Sequence, residues 1–163
     1  MENNNAPTFE ELRDRFAALR HAEATKGEVV PFSVQMESDL YAFDFDKKEI
    51  TISFPILKEE LNPNGTMIGG LLCTALDITY GILVFALCPN EIIPPTITMT
   101  TNFIGPIFYG DTLLVTAKIE SWGKRIINMT AHAESKNTGR TVVTSTSSFV
   151  SSDSFYKLNK DMH

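Results

Sequence analysis

Asp77 is the single charged residue between Leu71 and Cys88, an otherwise apolar run long enough to form a helix across a small domain. Burying an unpaired carboxylate is costly, so the spacing predicts that this acid sits in a pocket, is paired, or has a raised pKa. A carboxylate held in this way can take a proton from water as a general base, or attack as a nucleophile. At helical spacing Gly70, Cys73, Thr74, Tyr80, Gly81 and Val84 share the Asp77 side. Leu71, Leu72, Ala75, Leu76, Ile78, Ile82, Leu83, Phe85 and Ala86 take the other. Small or polar residues beside an acid leave room for a ligand or for a second backbone. The competing account is a core helix with one hydrogen-bonded Asp. The functional account is preferred, because isolated acids in apolar helices are seldom kept without a task.

Other chemistry-bearing residues read as structural. Cys73 shares the Asp77 face but has no neighbouring His to act as its base, so it is expected to be a buried thiol, as is Cys88. Along one helix the two sulfurs would lie about 22 Å apart, too far to bridge. His132 falls in mid-strand and His21 at the end of a surface helix. No metal-ligand cluster occurs, and Gly69-Gly70 makes neither a dinucleotide fingerprint nor a phosphate loop, so no metal and no resident cofactor is predicted.

The helix carrying Asp77 must be positioned by the remainder of a 163-residue chain, most simply one domain with a real core. Hydrophobic residues make up 43% and charged residues 21%, the balance of a globular protein. A net charge of −6 argues against general nucleic-acid binding. The apolar run meets the length of a membrane span only marginally. Its mid-span acid and its lack of flanking Lys or Arg argue against one. Met1 is followed by polar residues without a basic or apolar leader, which points to the cytoplasm.

Thr8 and Glu11 form a capping box ahead of an amphipathic helix over residues 9 to 22, bearing Phe9, Leu12, Phe16 and Leu19. From about residue 33 the period switches to strands. Tyr41, Phe43 and Phe45 alternate with Ala42, Asp44 and Asp46, Lys47-Lys48 turn, and residues 49 to 54 alternate again, a hairpin with one buried face. Residues 58 to 68 form a loop punctuated by Pro63 and Gly65, and the apolar helix runs from Gly69-Gly70 to Pro89. Four further strands are expected at 96–104, 112–122, 126–135 and 141–150. Three segments follow: an N-terminal helix and loose start over 1–28, the main domain over 29–151, and a polar tail over 152–163. A helix apolar on most of its surface needs wrapping, which a curved antiparallel sheet provides, with edges that invite dimer formation.

The stretch Asn62-Pro63-Asn64-Gly65-Thr66-Met67-Ile68-Gly69-Gly70 leading into a helix with Asp77 resembles the hotdog-fold thioesterases. Within that group it is most similar to the phenylacetic-acid-pathway type of acyl-CoA thioesterase. Phe103-Ile104-Gly105-Pro106, Gly110-Asp111-Thr112-Leu113, Gly123-Lys124-Arg125 and Thr138-Gly139-Arg140 match in the same order, so the resemblance covers roughly residues 40 to 150. The family usually has His-Gly-Gly before the helix; here Ile68 stands in place of the His.

The resemblance implies an α+β hotdog fold, a curved antiparallel sheet around one long central helix, with an extra N-terminal helix. It implies hydrolysis of an acyl-CoA or acyl-carrier thioester in a homodimer or dimer of dimers. Asp77 would be base or nucleophile, Asn62 would contact the carbonyl or the water, Thr96 would position water, and Gly69 would hold the carbonyl. Ile68, Gly70, Thr74 and Tyr80 would line the substrate, and Lys124 and Arg125 would meet its phosphates. The site would form between subunits, Asn62 and Gly69 of one facing Asp77 of the other. Two alternatives remain beside hydrolysis. A hotdog dehydratase would want a His five residues after the Asp, where this chain has Ile82. A non-catalytic acyl-thioester-binding or structural hotdog protein is the other.

Overall fold

A computed structural model describes residues 8–25, 32–88 and 94–151. The expected tail over 152–163, Gly27 and the helix-stopping Pro89 lie outside the described residues. Helix α1 (Phe9–Thr25) and a short α2 (Phe32–Gln35) precede strands β1 (Asp39–Asp44) and β2 (Glu49–Pro55). After a 3-10 turn at Lys58–Glu60 comes the central helix α3 (Gly69–Leu87). Strands β3 (Thr96–Phe103), β4 (Thr112–Trp122), β5 (Ile126–Ser135) and β6 (Thr141–Val150) follow. The strands form one antiparallel sheet in the order β1-β2-β4-β5-β6-β3, so β1 and β3 are its edges.

The predicted capping box closes as the chemistry requires. The Glu11 carboxylate accepts the Thr8 amide at 2.7 Å, and the Thr8 hydroxyl accepts the Glu11 amide at 3.2 Å. These bonds hold the Glu11 carboxyl below its ordinary pKa.

The sheet lays Ile50, Ile52, Phe54, Leu113, Val115, Ile127 and Phe149 against Leu72, Leu76, Tyr80 and Leu83 of α3. Each such side chain taken from water contributes about 1.5–3 kcal/mol. This wrapping accounts for a helix that passes as membrane-spanning by length and composition alone.

Two β-bulges decide which side chains face α3. In β1, Leu40 pairs with Ile52 and Phe43 with Ile50, with a register shift between Leu40 and Ala42. Paired residues share a face, so Leu40 and Phe43 point inward. Tyr41, expected on the buried face, is the extra residue and is 49% exposed. In β3 the shift lies between Thr96 and Thr98. Thr96 pairs with Phe149 and Met99 with Ser147, both partners being core-facing. The bulge therefore turns Thr96 toward the helix and leaves Ile97 outside, 49% exposed.

Candidate functional site

Helix α3 is unevenly covered. From Thr79 to Val84 every residue is buried, and Arg15 of α1 lies over the Phe85 ring at 5.2 Å. Over the preceding turns a face stays open: Gly70 and Asp77 are exposed, and Leu71, Cys73, Thr74 and Ile78 are half-buried. Of the three settings expected for Asp77, a pocket, a partner or a raised pKa, the structure shows a partner; the residue itself is exposed in the single chain. Among the described residues no strand lies beyond β3 to cover it, since β3 pairs there with β6 alone. The expected face also divides. Tyr80, Gly81 and Val84 turn into the core, since the wrapping sheet claims more of the circumference near the helix's end. Cys73, expected to be buried, is half-buried on the open face, 3.8 Å from the Thr101 hydroxyl, whereas Cys88 is buried as expected.

Among the described residues Asp77 is hydrogen-bonded by a residue singled out from the resemblance. The Thr96 hydroxyl donates to Asp77 Oδ1 at 2.6 Å, a short charge-assisted bond. The β3 bulge aims Thr96 at the helix, so an irregularity in the sheet builds the pair. Lys124 and Arg125 occupy the β4–β5 turn at the same end of the sheet, where the Arg125 carbonyl accepts the Ser151 amide at 2.8 Å.

A second group of candidates gathers at the opposite end of α3. Ile68 is the N-cap residue, 41% exposed and without a side-chain cap. The amides of Gly69 and Gly70 have no acceptor among the described residues, and Gly69 lies under the Phe103 ring. Asn62 folds the preceding loop. Its Oδ1 accepts the amides of Asn64 at 2.9 Å and Thr66 at 3.3 Å, and its Nδ2 donates to the Thr66 hydroxyl at 2.8 Å. One amide hydrogen of Asn62 remains uncommitted. Thr74 lies on the open face, but its hydroxyl donates to the Gly70 carbonyl at 3.0 Å. Tyr80, expected to line substrate, is fully buried against Phe149, and burial pushes its phenol up to about 12.

Asp77 is eight residues beyond Gly69, about 12 Å along the axis. Within one chain the acid and the free helix amides cannot act on the same carbonyl. Both flank β3, whose outer edge is unpaired.

Sequence reasoning missed Glu60. This residue is 4% exposed, its carboxylate accepts the Leu57 amide at 3.1 Å, and its carbonyl accepts the Ile68 amide at 2.9 Å. Burial raises its pKa, against the Leu57 bond, and the charges of Glu59 and Glu37 add to the rise. Nothing in the run Lys58-Glu59-Glu60 distinguishes a buried acid from a solvated one.

This fold and the position of the acid on its central helix define a class. A family model described as the thioesterase superfamily matches residues 64–146, just over half of the chain. The chain belongs to the thioesterase superfamily. Zebra fish thioesterase superfamily member 2 superposes with a TM-score of 0.72 at 13% identity, covering 85% of this chain and 96% of that one. A phenylacetic acid degradation-related protein from Ralstonia eutropha JMP134 gives 0.69 at 22% identity, over 80% and 96%. A hypothetical thioesterase from Streptococcus pneumoniae TIGR4, solved with coenzyme A, gives 0.62 at 20% identity, over 69% and 87%. These likenesses establish the hotdog fold. No curated protein matches the chain.

Proposed function

We propose that this protein hydrolyses acyl thioesters in a site shared by two copies of the chain. Asp77 acts as general base or nucleophile, and the N-terminus of α3 polarises the carbonyl. The observation that carries this reading is Asp77 itself: exposed on the bare face of an apolar helix, fixed by Thr96, beside an unpaired strand edge.

As base, Asp77 takes a proton from water and the hydroxide adds to the thioester carbonyl. The carbonyl oxygen then carries negative charge, which the free amides of Gly69 and Gly70 and the positive end of α3 are suited to hold. The C–S bond breaks, the acid is released, and the thiolate takes up the proton. As nucleophile, Asp77 would add to the carbonyl directly and water would cleave the mixed anhydride. Thr96 orients the carboxylate in either case. A second copy docked antiparallel along β3 would bring its own Gly69 and Asn62 toward Asp77.

Ile68 in place of the family His favours a second reading, an acyl-thioester-binding module without turnover. Thiol release from a panel of short, medium, long-chain and aryl acyl-CoAs separates the two. Hydrolysis predicts release that falls about 100-fold or more in Asp77→Asn with the fold retained. Release that persists undiminished in that variant removes Asp77 from the mechanism. No release, with thermal stabilisation by the same panel, moves the assignment to the binding module.

A further inference from the structure

Glu60 is a buried acid that the chemistry of Asp77 does not use. It closes the 3-10 turn Lys58–Glu60, between an exposed Glu59 and a half-buried Leu61. Among the described residues its carboxylate accepts a single hydrogen bond, from the Leu57 amide at 3.1 Å. The charges that act on it, those of Glu59 and Glu37, are themselves acidic. Burying a carboxylate on those terms is costly, and Met or Gln would fill the same space at less cost.

The bonds around Glu60 lead to the amide end of α3. The Glu60 amide donates back to the Leu57 carbonyl at 3.2 Å, so side chain and backbone close one turn together. The other bond within that turn, from the Leu61 amide to the Lys58 carbonyl, is long at 3.3 Å. The Glu60 carbonyl accepts the Ile68 amide at 2.9 Å. The Ile68 carbonyl in turn accepts the amides of Leu71 at 2.9 Å and Leu72 at 3.2 Å, which starts the helix. Gly69 and Gly70 lie between these anchors, and their amides have no acceptor among the described residues. The same closure carries Asn62. Leu61 bridges to Met67, and the Asn62 amide donates to the Thr66 carbonyl at 2.8 Å. Both groups expected to meet the thioester carbonyl therefore hang from one turn, and the Glu60 side chain holds that turn shut.

We propose that Glu60 is a positioning residue for thioester hydrolysis: its carboxylate, by holding the Leu57 amide, fixes the turn whose carbonyl anchors Ile68, and so aims Asn62 and the amides of Gly69 and Gly70. The inference rests on the hydrolase reading for its effect on rate, and on the hydrogen bonds alone for its effect on the loop. Glu60 touches no substrate. The turn needs an acceptor at this position rather than a charge, and Gln supplies one. Negative charge develops on the carbonyl oxygen only in the transition state, so amides aimed wrongly cost kcat more than KM.

Glu60→Met and Glu60→Gln in the full chain separate aim from stability. Two quantities are read: kcat and KM for the acyl-CoA that wild type cleaves fastest, and hydrogen exchange of the backbone amides. Glu60→Met should lower kcat by roughly 10- to 100-fold with KM little changed, the scale for displacing a reacting group by about an ångström. Glu60→Gln should keep the wild-type kcat. In Glu60→Met the amides of Ile68 and Asn62 should exchange faster, while those of β4 and β5 keep their wild-type protection. Full kcat in Glu60→Met, a loss that Glu60→Gln shares, or unchanged exchange at Ile68 overturns the proposal. Exchange that quickens equally across β4 and β5 also overturns it, because Glu60 would then serve stability alone. Faster exchange confined to Ile68 and Asn62, in a protein whose wild type cleaves no thioester, would sink the hydrolase reading and leave Glu60 assigned as the anchor of the loop.

Discussion

At one edge of the sheet, β1 is six residues long, broken by a bulge, and packed beside α1, with Arg13 of that helix 4.0 Å from Asp39. At the other, β3 runs eight residues without a charged side chain, and all but Met99 and Thr101 are exposed. Ile97, Phe103, Ile104, Phe108 and Tyr109 lie exposed along and just past it. Soluble proteins commonly blunt a free edge with charge, brevity or a covering element. The β1 edge has all three; β3 has a bulge, and that bulge serves to aim Thr96. An edge left open beside a lone acid reads as the place where a second chain completes a site.

Placing a charge on the open edge is the strongest way to break this contrast. Ile97→Lys is expected to fold, because the side chain is exposed. It should run as a monomer in sedimentation and lose thioesterase turnover by about 100-fold or more, the scale of losing the acid itself. A dimeric, fully active Ile97→Lys protein would place the interface elsewhere. Thr96→Val keeps shape and bulge but removes the bond to Asp77, and a loss of roughly tenfold in kcat with KM little changed is expected for one charge-assisted hydrogen bond. An unchanged kcat would reduce Thr96 to a strand residue.

The closed side yields the smallest effect, and its sign follows from Glu60. Burial raises this carboxyl above 4.5, so folding favours its protonated form. Its penalty is absent at low pH, grows as pH rises from 4.5 to the raised value, and is constant above it. Glu60→Gln retains an acceptor for the Leu57 amide without the charge. Its Tm should exceed that of wild type at pH 7, with the gap closing below pH 4.5. A lower Tm at pH 7 would mean that the carboxylate stabilises the loop.

The order of elements was legible because β4, β5 and β6 carry strong period-2 patterns between turn residues, and α3 is a long run closed by a Pro. Thr96 was marked only through the resemblance, as a residue to position water, and its bond to Asp77 was not legible, since nothing local in Thr96-Ile97-Thr98 marks a bulge. Exposure was the poorest inference. Tyr41 was expected on a buried face, the exposure of Asp77 was left open, and Glu60 went unmarked, because a sequence shows the chemistry of a face but not which element covers it.

The central claim, that one site draws on two chains, is tested most directly by complementation. Asp77→Asn removes the acid, and Gly70→Leu crowds the amide end of α3, where an added Cβ meets only the Ile68 side chain at 4.0 Å, an ordinary contact that the fold should tolerate. Each homodimer should be inactive. A heterodimer of the two, purified through different tags, holds one site with both an intact Asp77 and an intact Gly70. It should recover about half of the wild-type rate per dimer. A heterodimer as inactive as its parents would mean that Asp77 and the α3 N-terminus act within a single chain, and would contradict the account.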